Sequence, residues 1–336
     1  MKNKMMVRFF SAAAAAVLLT GCGSKTLGET ASGAAVPGDS KSAKYSVVCT
    51  TFPQYDWVKN VIGDSTDKFE VTYLMDNGTD LHSFQPSAED IMKIGEADLF
   101  IYVGGESDEW VEDALKNAVN SNIKSINMLE SVGDSAKEEE VVEGMQAEEE
   151  EEEESGETEY DEHVWLSLKN AQTLVTDISD ELEIIDPADS KALAANADAY
   201  IAKLSELDVK YAEAVEASDV DTVLFGDRFP FRYLVDDYGI KYYAAFVGCS
   251  AESEASFETV SFLAKKIDEL SLPVILTIEN SDAKIANTIR ENTKSKDQEI
   301  LVMDSLQSVS AEDIENGKTY LGTMADNLEV LKKALK

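Results

Sequence analysis

The stretch FEVTYLMDNGTDLHSFQPSAEDIMKIGEADLFIYVG, Phe69 to Gly104, decides the fold. FEVTYLM is a short apolar run of the kind that forms a buried strand. SAEDIMKIGEA reads as a helix, with Ser87 as its N-cap and Asp90 three residues on. DLFIYVG is apolar again and reads as the next strand. Working outward, YSVVCTTF (Tyr45 to Phe52) is an earlier strand, QYDWVKNVIG a helix that stops at Gly63, and DEWVEDALKNA a further helix. Such alternation predicts a mostly parallel sheet with helices on both faces.

VWLSLKNAQTLVTDISDELEIID reads as one helix, closing an N-terminal α/β lobe over residues 45–185. From 186 to 217 the apolar residues Leu193, Tyr200, Leu204, Leu207 and Tyr211 recur at intervals of three and four, or their sums. That spacing predicts a single amphipathic helix of about 30 residues, roughly 40 Å long. The alternation then resumes over 218–336, through DTVLFG, PFRYLVDDYG, IKYYAAFVG, SFETVSFLAKKIDELS, PVILTIE, SDAKIANTIRENT and EILVMDSL, and ends on the helix TYLGTMADNLEVLKKALK. The expected fold is α/β: two lobes, each a mostly parallel sheet flanked by helices, joined by one long rigid helix. In such sheets ligands gather beyond the C-terminal ends of the strands.

The chain has 336 residues, 44% of them apolar, enough for two cored domains. Its 66 acidic residues against 29 basic give a net charge of −37. That balance excludes nucleic-acid binding by phosphate neutralisation and favours cations near the surface. The N-terminus MKNKMMVRFFSAAAAAVLLTGCGS has a basic start and an apolar core, Phe9 to Leu19, too short to span a membrane. Small residues then lead to Cys22. Residues 1–21 therefore read as a lipoprotein signal peptide and Cys22 as the lipidated residue, which anchors the chain outside the cytoplasm on the bacterial membrane. Residues 22–44 are rich in Gly, Ser, Ala and Thr and read as a flexible tether. Residues 137–162 carry 15 acidic residues between Glu138 and Glu162, and are expected to be a disordered acidic loop.

Only two histidines occur, His82 and His163, and each follows an aspartate by two positions. Asp227, Arg228, Glu279 and Asp304 lie just past expected strands, as do Cys49 and Cys249. No Ser/His/Asp arrangement, phosphate-cradling glycine loop or HExxH motif is present. Imidazole and carboxylate at strand ends suit Zn2+ or Mn2+. The cysteines read as buried free thiols, with an interlobe disulfide or soft metal ligation as the alternatives.

TDLHSFQPSAEDIMKIGEADLFIYVGG and DEHVWLSLKNA resemble two ligand segments of the solute-binding proteins of zinc/manganese ABC importers, and LVMDSL resembles the final one. The likeness runs from about Tyr45 to Lys336. It implies capture of Zn2+, or of Mn2+, outside the cytoplasm, without catalysis, and delivery to an ABC-type permease by a lipid-anchored monomer. It carries the ligands onto His82, His163 and Asp304. The remaining ligand position falls on Arg228, which has no lone pair to offer; Asp227, Glu279 or a water is the expected substitute, with Arg228 pairing with Asp227 or Glu279 to hold it in place. The other readings are a metal-containing surface adhesin, since members of the family can double as adhesins, and a zinc-dependent hydrolase with Glu279 as base.

Overall fold

The computed structural model describes residues 44–146, 159–250 and 254–336. The signal peptide, Cys22 and the tether to residue 43 lie outside the described residues, as does the middle of the acidic segment. Strands β1 (Tyr45–Cys49), β2 (Phe69–Tyr73), β3 (Leu99–Tyr102) and β4 (Lys124–Asn127) form one sheet, in the order β2-β1-β3-β4, with every pairing parallel. Helices α1 (Phe52–Ile62), α2 (Ala88–Glu96), α3 (Trp110–Lys116), α4 (Met128–Val132) and α5 (Leu168–Ile185) accompany it, and α6 (Ser190–Glu216) follows. The second sheet takes β5 (Thr222–Phe229), β6 (Lys241–Val247), β7 (Val274–Ile278) and β8 (Glu299–Met303) in the order β6-β5-β7-β8, again all parallel. Its helices are α7 (Arg232–Tyr238), α8 (Phe257–Leu270), α9 (Lys284–Asn292), α10 (Ala311–Glu315) and α11 (Tyr320–Ala334).

The central strands are apolar because helices cover both faces: Val47, Val48, Leu99, Phe100 and Ile101 are all fully buried. At the sheet's edge β4 (KSIN) buries only Ile126. It therefore shows no apolar run and was not among the expected strands. Helix α2 starts as read, with the Ser87 and Asp90 side chains each bonded to the other's backbone N–H. Helix α5 begins later than expected, because Val164–Leu166 forms a separate 3-10 turn.

Helix α6 runs for 27 residues and packs against α1, α5 and α11. Its buried side chains are Leu193, Ala197, Tyr200, Leu204, Leu207 and Tyr211. Two of its tyrosines reach across: Tyr211 donates to Met324 O at 2.6 Å, and Tyr200 donates to Asp56 Oδ2 at 3.2 Å. Asp56 also accepts from Tyr320 N at 3.3 Å.

Burial pushes the Asp56 carboxyl up to about 6, against the pull of these two donors. Between its unfolded value near ~4 and about 6, the folded chain therefore holds a proton that the unfolded chain has lost. Stability falls as pH rises through that window. Asp56→Asn removes this one contribution. Its unfolding free energy measured against wild type should gain roughly 2–3 kcal/mol between pH 4 and pH 7. Urea titrations at the two pH values check this; a pH-independent difference would show that Asp56 is ionised in the fold.

Bonds stitch the two sheet regions together. Tyr73 donates to Val309 O at 2.8 Å, Tyr320 to Trp165 O at 2.5 Å, and Trp165 Nε1 to Ser305 O at 2.8 Å. One continuous core runs from Val47 to Leu335, with a second cluster under α8 and α9.

Two expectations change here. Residues 137–146 and 159–162 of the acidic segment have defined contacts rather than disorder. Glu138 bridges Tyr160, Lys137 N donates to Tyr233 Oη at 3.0 Å, and Gln146 N donates to Ala245 O at 3.0 Å. The segment spends backbone hydrogen bonds on the edge strand β6 and buries Met145, which offsets its charge density. Strand β5 is also longer than read. A register shift between Phe225 and Arg228 keeps Asp227 and Arg228 inside it.

Candidate metal centre

Both histidines are delivered by the same local device. Asp80 caps the 3-10 turn Leu81–Ser83 by accepting from His82 N at 3.1 Å. Asp161 accepts from His163 N at 2.9 Å, ahead of the turn Val164–Leu166. In each Asp-x-His triplet a carboxylate fixes the histidine backbone two residues on, as an Asx turn does. The rings then meet, with Nε2 of His82 lying 3.2 Å from Nε2 of His163.

The outward nitrogens are held by other groups. His163 Nδ1 lies 3.0 Å from Asp161 Oδ1, while His82 Nδ1 lies 2.9 Å from Ser107 Oγ and 3.4 Å from Glu162 Oε2. Carboxylate behind an imidazole sets its tautomer and raises its basicity as a ligand. A proton or a cation must sit between the facing nitrogens. Burial, with His163 adding to it, pushes His82 down to about 3, so its ring is neutral. Burial is the largest single influence on His163 and works against a charge, but Asp161, Glu162 and Gln307 together raise the ring above its ordinary value.

Cys249 completes the group. One ligating atom each from His82, His163 and Cys249 lie within 4.8 Å of one another. Burial, then Asp161, Glu139 and Glu162, push the Cys249 thiol well above its ordinary range. Burial likewise raises Glu139 and Glu162 to about 7. A cleft lined by Phe84, Trp110, Tyr160 and Glu162 reaches His82 and Cys249 from solvent. His163 is fully buried behind it.

The other expected ligands lie elsewhere, and each has a different occupation. Asp304 does not reach the imidazoles here: its carboxylate pairs with Lys318 Nζ and accepts from Leu306 N at 2.9 Å. The chain reverses at Leu306, which sits at φ 65, and brings Gln307 Oε1 to 3.1 Å from His163 Nε2. Gln307 was not singled out from the sequence; a neutral amide three residues past an aspartate carries no signal of its own. Glu279 grips that reversal, accepting from Ser305 N at 2.7 Å and from Ser305 Oγ at 2.6 Å. Asp227 accepts from Arg228 N at 2.9 Å, inside the strand. Neither Asp227 nor Glu279 joins the imidazole group.

Arg228 pairs with Asp80 and donates to Ser250 O at 3.5 Å. It thus ties the turn that carries His82 to the turn that carries Cys249. Cys49 is a fully buried free thiol in β1, and Cys249 is also free, so no disulfide joins them.

Gly248 explains how the second sheet comes so close. A Cβ there would lie 3.0 Å from His163 Cε1 and 3.0 Å from Phe229 O. Gly248→Ala should cost about 1–3 kcal/mol by overpacking and displace the imidazole. Thermal unfolding with a parallel ion titration checks both; an unchanged melting curve would mean that the ring has room to move.

A family model described as zinc-uptake complex component A, periplasmic (ZnuA), matches residues 47–334. Zinc-binding lipoprotein AdcA of Streptococcus pneumoniae is 32% identical over 294 residues, 86% of this chain and 56% of that protein. The chain thus spans little more than half the length of the streptococcal relatives it matches. High-affinity zinc uptake system protein ZnuA of Bacillus subtilis is 30% identical over 329 residues, 97% of this chain and 96% of that one. Among solved structures, the Zn(II)-bound ZnuA-like domain of S. pneumoniae AdcA gives a TM-score of 0.68 at 30% identity, over 87% of this chain and 99% of that one.

Proposed function

The chain belongs to the ZnuA family of zinc-uptake components, and from that premise we propose that it captures Zn2+ outside the cytoplasm and passes it to an ABC-type permease in the membrane. The observation that carries this reading is the His82–His163 pair, two imidazole nitrogens 3.2 Å apart with their far sides braced by Asp161, Ser107 and Glu162. Neutral imidazole is a preferred zinc ligand, and bracing of this kind is what metal-binding histidines receive.

The hydrated ion enters by the cleft lined by Glu139 and Glu162, whose carboxyls, raised by burial, lose their protons as the cation approaches. It sheds water as His82 and His163 donate their Nε2 lone pairs, displacing the proton between them. Gln307 Oε1, already beside His163 Nε2, is placed to contribute an oxygen. The activity is binding and release without turnover. Residues 45–185 and 218–336 act as the two lobes, with α6 as their connection. Cys22, as the lipid anchor, would hold the chain near its permease; the relative AdcA of S. pneumoniae is named a lipoprotein.

The test is a competition titration of the ion-free chain against a chromophoric zinc chelator. One Zn2+ per chain, taken from the chelator, is expected. A chain that leaves the chelator saturated has no such function.

A further inference from the structure

We propose that Cys249 Sγ is the third protein ligand of the captured ion, and that this sulfur strengthens the site's preference for Zn2+ over Mn2+. The proposal rests on the reading of the imidazole pair as an ion-capture site.

Distances come first. Tetrahedral zinc, with nitrogen at 2.0–2.1 Å and sulfur at 2.3 Å, sets its nitrogens ~3.3 Å apart and nitrogen to sulfur ~3.6 Å apart. The two Nε2 atoms already stand at 3.2 Å, and the sulfur lies within 4.8 Å of the imidazole ligand atoms. Closing onto an ion requires a movement of about an ångström at most.

The position is built rather than incidental. Strand β6 ends at Val247, and its pairing of Phe246 with Arg228 and Val247 with Phe229 fixes where the next residues emerge. Glycine at 248 lets that turn lie against the His163 ring. Arg228 then holds both sides, through Ser250 O after the cysteine and through Asp80 before His82. An arginine at an expected ligand position therefore acts as a positioning residue for two ligand-bearing turns.

The surroundings of the sulfur do not suit a packing role. A buried structural thiol behaves as a small hydrophobe among apolar neighbours. The Cys249 sulfur instead lies near the carboxylates of Asp161, Glu139 and Glu162 and beside two imidazoles. Cys49, with Val47 and Val48 in β1, shows the packing case in the same molecule.

On binding, the Zn–S bond forms as the S–H bond breaks, and the proton passes to solvent through the cleft. Thiolate is a soft donor that suits Zn2+, whereas Mn2+ prefers carboxylate, carbonyl and water. A sulfur among the ligands thus widens the preference for Zn2+ over Mn2+ that imidazole already gives.

Co2+ serves as the spectroscopic probe on the full chain. Wild type should bind one Co2+ with a near-ultraviolet sulfur-to-cobalt charge-transfer band, and Cys249→Ser should bind Co2+ without it. The variant's Zn2+ affinity should fall at least ~10-fold while its Mn2+ affinity holds, so the Zn2+/Mn2+ preference shrinks. A second measurement needs no variant: Zn2+, but not Mn2+, should shield Cys249 of the wild type from alkylation, as mapped by peptide mass. Stoichiometric Co2+ without the sulfur band, or alkylation of Cys249 unaffected by Zn2+, overturns the sulfur ligand and leaves the capture site standing. A wild type that takes up neither Co2+ nor Zn2+ overturns the capture site itself.

Discussion

Replacing His163 by alanine should weaken zinc capture by more than ~100-fold, because even the partners behind a metal-bound histidine are worth 10–100-fold. The ring is fully buried and faces His82 and Gln307 at 3.2 and 3.1 Å. The chain has only one other imidazole, and it already occupies the opposite side. The loss also takes from Asp161 Oδ1 its ring partner at 3.0 Å, leaving it only the backbone N–H of residue 163 at 2.9 Å. A folding defect is separated from a binding defect by Asp161→Asn, which keeps the volume and removes the charge behind the ring. That variant should lose roughly 10–100-fold with an intact circular-dichroism spectrum. Competition against a graded series of chelators measures both. Zinc affinity within threefold of wild type in His163→Ala would remove this residue from the site.

The largest expected loss of stability is at Trp165. Its side chain is fully buried, its Nε1 donates to Ser305 O at 2.8 Å, and its carbonyl accepts from Tyr320 Oη at 2.5 Å. The indole also packs edge-on to His163 with centroids 5.3 Å apart. Trp165→Ala leaves a cavity where the two sheet regions meet and should cost about 3–5 kcal/mol. Trp165→Phe keeps most of the apolar contact and loses the bond to Ser305, for about 1 kcal/mol. Because Ser305 begins the reversal that carries Gln307, even the milder variant should loosen zinc. Urea unfolding gives the energies; an alanine variant within 1 kcal/mol of wild type would show that the neighbouring chain collapses into the space.

Much of the architecture was legible before any coordinates. Helix α6 declared itself because Leu193, Tyr200, Leu204, Leu207 and Tyr211 fall on one face, and all are buried. The central strands declared themselves as apolar runs, since both their faces are covered. Strand β4 did not, because an edge strand with only Ile126 buried has no pattern to show. His82 and His163 stood out by rarity and by the aspartate two residues before each.

The rest of the site was illegible for a geometric reason. Asp304 looked like the strand-end ligand, but the reversal at Leu306 turns it toward Lys318 and sends Gln307 to His163. A left-handed backbone at leucine is not encoded in residue type; it is imposed by the bonds from Glu279, Asn327 and Trp165 that clamp the loop. Cys249 was one of two cysteines with three open readings, and only the register of β6 against β5 brings it to the imidazoles.

The sequence by itself determined the alternation of strand and helix, the long helix between the sheets, and the two Asp-x-His triplets, because each rests on neighbours within a few positions along the chain. Tertiary structure alone decided that the two rings meet, that Arg228 ties Asp80 to Ser250, and that sulfur and amide oxygen arrive from the second sheet. Those meetings join residues 81 to 167 positions apart, and such distances are closed only by packing.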